Sequence, residues 1–249
     1  MNPIRVKFIR EKMLEVARDD GLDDEEGAGT ENARILSGLD VLDVGCGGGL
    51  LSESLTRLGA RTSGVDASAS NIAIASLHAS QDCALQNSTL SYRNATAEDL
   101  VKETPRYDVV CSMEVIEHVD NPAAFLRSCA TLVKPGGHLF LSTVSRTPLA
   151  YLLTIFAAEK VLRLVEPGTH TYEKYVKPTE LLGFFRSPAG ESKRPWITNM
   201  YDGIAPRREA EVRGIMYLPW KGTWELAPRG AFGSTECNYL FWVRKPMSP

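Results

Sequence analysis

The segment Asp43-Val44-Gly45-Cys46-Gly47-Gly48-Gly49 constrains this chain most, because it follows an apolar strand signal and opens a helical one. Glycines at such a junction accept positive φ and let backbone N–H groups approach a ligand. A small cofactor is expected there. A dinucleotide loop would read G-x-G-x-x-G over a pyrophosphate, whereas here position 50 is Leu and an acid leads the loop. S-adenosylmethionine (SAM) carries no phosphate and does carry an ammonium, so an acidic lead-in suits it.

Strand and helix signals alternate around this loop. Val41–Val44, Arg61–Val65, Leu90–Tyr92, Tyr107–Ser112 and His138–Ser142 read as strands, with helices over Leu50–Leu58, Ala69–Ser80 and from Asn121-Pro122 onward. That rhythm predicts an α/β, Rossmann-like, mostly parallel seven-stranded sheet with helices on both faces. A helix over Val6–Arg18 precedes it, stopping at Asp19-Asp20-Gly21 and leading into an acidic loop across 19–38. A short helix to Phe185 and late strands near Ile215–Leu218 and Tyr239–Val243 follow, and the two strands can close the sheet as an antiparallel pair. The expectation is a single domain over 1–249 with an apolar insertion at 145–178.

Composition excludes other classes. A formal net charge of −3 argues against a nonspecific nucleic-acid binder, which needs a basic face to replace phosphate counterions. The five cysteines are scattered without a C-x-x-C pair, so neither a disulfide framework nor a cysteine zinc site is expected, and a reducing compartment is. No apolar run reaches the roughly 18 residues of a spanning helix, and no signal-peptide or transit-peptide pattern is evident at the N-terminus.

Asp66 ends the second strand, where a carboxylate can accept hydrogen bonds from ribose hydroxyls. Its alternative role is a helix cap. Glu98, after the third strand, is placed either to read adenine or as a solvated loop charge.

Four segments carry a family resemblance: V-L-D-V-G-C-G-G-G-L (41–50), Y-D-V-V-C-S-M-E-V-I-E-H-V (107–119), L-V-K-P-G-G (132–137) and G-T-H-T-Y-E-K-Y-V-K-P-T-E-L (168–181). With the opening Asn2-Pro3-Ile4-Arg5, they resemble the ubiquinone-biosynthesis O-methyltransferases. The first three recur across class I SAM methyltransferases; the fourth and the N-P-x-R opening narrow the choice. The resemblance implies that Arg5, Gly45, Asp66 and Met113 contact SAM. Taken alone, Arg5 could clamp a carboxylate or be a surface arginine, and Met113 could be core filler.

Glu114, Glu117 and His118 stand at i, i+3 and i+4, so on a helix they would share one face at the carboxyl edge of the sheet. Two carboxylates and an imidazole suit a divalent ion, and the resemblance implies magnesium there, with zinc as the alternative. An ion would lower the pKa of a catechol oxygen and orient it. Without a metal, the acids favour a helix start and His118 packs or acts as a base. His170 is a further candidate near the substrate; His78 and His138 read as surface or core residues.

Pro148–Val165 is apolar nearly all round through Ala158, with charges at Glu159, Lys160 and Arg163. It reads either as a buried helix or as one lying in the membrane interface, with Lys160 and Arg163 snorkelling while Leu152, Leu153, Ile155 and Phe156 enter the acyl boundary. The resemblance implies the second. It also implies O-methylation of a polyprenylated dihydroxybenzoate or demethylubiquinol by a peripheral enzyme of a multi-subunit complex. The expected place is the matrix side of the mitochondrial inner membrane, or else a bacterial cytoplasm. Two other readings stand beside it: a soluble methyltransferase for another small metabolite, and a non-catalytic scaffold in a biosynthetic complex.

Overall fold

The structure, a computed structural model, describes residues 1–21, 34–86, 88–154, 171–218 and 220–247. Most of the acidic loop, the later half of the apolar segment, and His170 therefore lie outside the described residues.

In chain order the elements are α1 (Asn2–Asp19), β1 (Asp40–Val44), α2 (Leu50–Arg57), β2 (Arg61–Asp66), α3 (Ala69–Ser80), β3 (Leu90–Asn94), α4 (Ala97–Glu103) and β4 (Tyr107–Met113). A 3-10 turn at Ile116–His118 leads to α5 (Pro122–Leu132), β5 (Val133–Val144) and the one-turn α6 (Pro148–Ala150). After a second 3-10 turn at Tyr172–Lys174 come α7 (Pro178–Phe185), β6 (Ala210–Leu218), β7 (Thr223–Leu226) and β8 (Asn238–Arg244).

The strands form one sheet in the order β3-β2-β1-β4-β5-β8-β6-β7. The first five strands run parallel, while β8, β6 and β7 close the edge antiparallel. Strand order reverses direction between β1 and β4, and the crevice at the carboxyl ends of these two strands is where such sheets take ligands.

Both faces of the sheet are covered, which is why the strands read as continuous apolar runs. In β8, Leu240 and Trp242 pack beneath α1 and α2, while Phe241 and Val243 pack beneath α4, α5 and α7. Period-two alternation therefore feeds two cores from one strand. Helix starts follow local chemistry: the Asn121 side chain accepts from Ala124 N at 3.0 Å ahead of Pro122, and Thr96 and Asp99 form a capping box on α4.

Two elements go beyond the sequence expectation. The sheet has eight strands rather than seven, the added one being β7, which pairs with β6 from Leu218↔Thr223 to Ile215↔Leu226. The seven-residue α4 is the other.

Candidate active site

Gly45 leaves β1 at φ +73° and Gly49 precedes α2 at φ +86°. A Cβ on Gly45 would overlap the Val115 side chain, so the loop touches the segment that follows β4. The Gly47 N–H donates to Asp66 Oδ2 at 2.9 Å. Ser68 N and the Asn71 amide donate to Oδ1 at 2.8 and 3.2 Å. Asp66 thus braces the start of α3, whose N-cap is Ser68, and also stands on the cleft wall. A carboxylate has roughly four acceptor sites, so these three bonds leave capacity for a ribose hydroxyl.

The cleft measures about 790 Å³. Gly45, Gly47, Asp66 and Glu98 line it together with Glu114 and His118. Glu98 occupies the first turn of α4, exposed on the cleft wall.

Asp43 departs from expectation. It alternates with Leu42 and Val44, whose side chains enter the core beneath α4 and α5, so it faces the opposite side, beneath α2. There Ser52 Oγ donates to its carboxylate at 2.6 Å, and burial pushes its pKa up to about 6. The acid leading the glycine loop secures α2 and is not among the residues that line the cleft.

The Glu114, Glu117 and His118 set is also rearranged. β4 ends at Met113, and Glu114 turns away at φ +58°, breaking helical geometry before a first α-turn can form. Only the 3-10 turn Ile116–His118 follows, so the expected shared helix face does not exist. Glu114 Oε1 accepts from Ser142 Oγ at 2.6 Å and lies 3.6 Å from Arg5 Nη2. Glu117 points inward, is buried, and accepts from Thr143 Oγ1 at 2.9 Å. Burial first, then the charge of Glu114, pushes its pKa up to about 8. His118 points outward and is exposed on the cleft wall. Among the described residues no three His, Cys, Asp or Glu side chains converge to hold an ion. As arranged, with one carboxylate turned into the protein, this donor set does not fit a divalent metal.

The N-P-x-R opening works as a unit. The Asn2 amide donates to Leu50 O at 3.1 Å and Ser54 Oγ at 3.0 Å, pinning α1 onto α2. This holds Arg5 behind Glu114, its Nε shielded from solvent and without a hydrogen-bond partner. Such an orphaned guanidinium donor is what a carboxylate-bearing ligand would satisfy. The Met113 side chain, 7% exposed, belongs to the core facing α1. Sequence reasoning did not single out Asn71, Val115 or Phe125; of these, Asn71 had a signal in its place on the first turn after the Ser68 cap.

A glycine loop and a strand-ending carboxylate beside a cleft, on a sheet of this order, define a class I methyltransferase, and the methyltransferase domain family matches residues 11–185. Solved structures share the fold: a possible histamine N-methyltransferase of Thermotoga maritima (TM-score 0.55, 16% identity, 97% of this chain and 91% of that one), and the magnesium protoporphyrin IX methyltransferase of Synechocystis PCC 6803 with bound SAM (TM-score 0.52, 15% identity, 96% and 79%). Among curated relatives, the mitochondrial ubiquinone biosynthesis O-methyltransferase of Schizosaccharomyces pombe is 46% identical over 213 residues, 85% of this chain and 71% of its own length. The ubiquinone biosynthesis O-methyltransferase of Agrobacterium fabrum is 39% identical over 245 residues, 98% of this chain and 84% of its own. The chain belongs to the ubiquinone biosynthesis O-methyltransferase family.

Proposed function

We propose that this chain transfers a methyl group from SAM to a phenolic hydroxyl of a polyprenylated dihydroxybenzoate or a demethylubiquinol. The observation that carries the reading is the single cleft that sets the glycine loop, Asp66 and Glu98 beside Glu114 and His118. When bound, SAM supplies an electrophilic methyl on a sulfonium. Asp66 accepts from the ribose, Glu98 stands at the adenine end, and Arg5 and Glu114 serve the amino-acid end. His118 is the exposed imidazole placed to take the phenol proton as the oxygen attacks, yielding a methyl ether and S-adenosylhomocysteine.

A divalent ion would draw on Glu114, Glu117 and His118. Gathering them requires Glu117 to leave Thr143 and His118 to turn inward, so the proton transfer falls to His118 alone.

The membrane reading is supported by the start of the apolar segment, where Leu149, Leu152 and Leu153 are 45%, 51% and 47% exposed just beyond β5. They lie at the same sheet edge as the cleft, where a bilayer-borne substrate must approach. No described helix is long and apolar enough to cross a membrane. The inner mitochondrial membrane or a bacterial cytoplasm, and membership of a multi-subunit complex, are proposals resting on the family.

Mass-spectrometric methyl transfer onto short-tailed dihydroxybenzoate and demethylubiquinol analogues tests the assignment. Gain of one methyl on a ring oxygen is expected. SAM binding without transfer to either ring would overturn the substrate class.

A further inference from the structure

At the sheet edge opposite the cleft, a groove runs between the start of β4, the start of β5 and the chain beyond β8. Its two lobes, about 520 and 460 Å³, share Arg194, Lys245, Pro246 and Met247. None of its lining residues belongs to the catalytic cleft, which lies roughly 20 Å away by the rise of β4.

The groove is basic in an acidic chain. Six cationic side chains line it against three carboxylates, while the whole chain carries −3. Arg106 is paired with Glu191, Arg244 with Asp20 and Arg208 with Asp19. Lys193, Arg194 and Lys245 have no carboxylate within ion-pair distance among the described residues.

Lys245 is the most telling of these. Its side chain is 5% exposed, and Nζ donates to Ala130 O at 3.1 Å and Val133 O at 2.7 Å. An ammonium has three donors, so one finds no carbonyl; the cation also lies over the Trp196 ring, 5.7 Å from its centroid, and a buried cation without a carboxylate partner lacks a full counter-charge. Beside it Trp196, 1% exposed, has an indole N–H with no partner, although buried donors are nearly always satisfied. A buried ammonium without a carboxylate partner, an orphan indole N–H and two surface cations line the two joined lobes, Lys193 in one, Trp196 in the other, and Arg194 and Lys245 in both.

We propose that this groove binds a small, multiply charged oxyanion of the phosphate or diphosphate class, with Lys193, Arg194 and Lys245 supplying charge and Trp196 a further hydrogen bond. A concave site suits a soluble anion. A bilayer touching Leu152 and Leu153 at the opposite edge would not reach it.

The test is calorimetric titration of the full chain with pyrophosphate at fixed ionic strength, alongside flotation with vesicles containing anionic lipid. Saturable one-to-one binding and a raised thermal midpoint are expected. Lys193→Ala combined with Arg194→Ala should weaken pyrophosphate at least tenfold while leaving S-adenosylhomocysteine affinity unchanged. Lys245→Met should abolish binding, and because that variant also removes two carbonyl contacts, the surface pair decides the matter if it fails to fold. Absence of saturable binding, or equal affinity in the double variant, overturns the site. Vesicle binding that needs Lys193 and Arg194 without any pyrophosphate binding overturns the soluble anion in favour of a lipid headgroup.

Discussion

Ser142 on β5 donates its hydroxyl to the Glu114 carboxylate at 2.6 Å, and the Ser142 carbonyl accepts the Glu114 N–H at 3.0 Å. This two-point grip holds a non-glycine residue at φ +58°, a conformation that L-residues adopt only at an energetic cost. The strain places the carboxylate between Arg5 and the cleft.

It follows that Glu114→Gly and Glu114→Ala should both lose methyl transfer, while the glycine variant is the more stable by about 1 kcal/mol, since glycine accepts this φ freely. Denaturant unfolding of the two variants measures the difference. Equal stability would mean that the turn carries no strain.

Asp66 is bound to the loop as well as poised for a ligand, so Asp66→Ala should act twice. Cofactor affinity should fall by about 1 to 3 kcal/mol through lost charge-assisted bonds. The free protein should also lose stability, because Gly47 N, Ser68 N and Asn71 lose their acceptor. Calorimetry with S-adenosylhomocysteine and thermal unfolding of the unliganded protein read the two effects separately, and unchanged affinity in a folded variant would remove Asp66 from the binding site.

The strand rhythm was legible because both faces of the sheet are buried, and the bounds of Ala69–Ser80 match expectation where Ser68 caps the helix. Where the side chains point was not. Whether Asp43 faces ligand or core depends on which neighbours of β1 share its face, which tertiary packing decides. The positive φ of Glu114 has no local sequence signal, since no glycine or asparagine marks it. That one torsion turns an expected helix face into a 3-10 turn, and with it separates Glu117 from His118. β7 escaped notice because four residues, Thr223–Leu226, are too few to show a period.

Glu117 makes stability depend on pH with a definite sign. Its pKa is pushed up to about 8 from the ordinary 4.5 by burial and by Glu114, so the folded state favours the protonated acid. Its contribution is fully present below about pH 4.5 and is lost as pH rises through 8. Buried His138 pulls the other way: burial lowers its pKa to about 3 from 6.5, so its contribution is present above 6.5 and lost as pH falls toward 3. Glu117→Gln should therefore gain thermal stability relative to the parent between about pH 5 and pH 9. A difference independent of pH would show that Glu117 is ionised in the fold.

The apolar segment offers a test free of unfolding. Leu152 and Leu153 are about half exposed, so replacing both with Glu should leave the thermal midpoint nearly unchanged. Flotation with vesicles should be lost while S-adenosylhomocysteine still binds. Undiminished flotation of the double variant would dissociate these leucines from any membrane contact.

The geometry separates two accounts of the chemistry through Glu117 and His118. If the inward Glu117 is a buried neutral acid bonded to Thr143, then Glu117→Gln preserves that bond and should retain most methyl transfer. His118→Ala should reduce transfer by about 10² to 10⁴, the range for removing a general base. A three-ligand metal centre differs at Glu117: Glu117→Gln would then be as crippling as Glu114→Ala and His118→Ala, and combining the three would add little, because losing one ligand already disables the ion. Chelation would then abolish turnover, with magnesium or zinc restoring the parent alone. Retained activity in Glu117→Gln fits the arrangement seen here, whereas its loss together with metal rescue of the parent would show that Glu117 rotates out from Thr143 during the catalytic cycle.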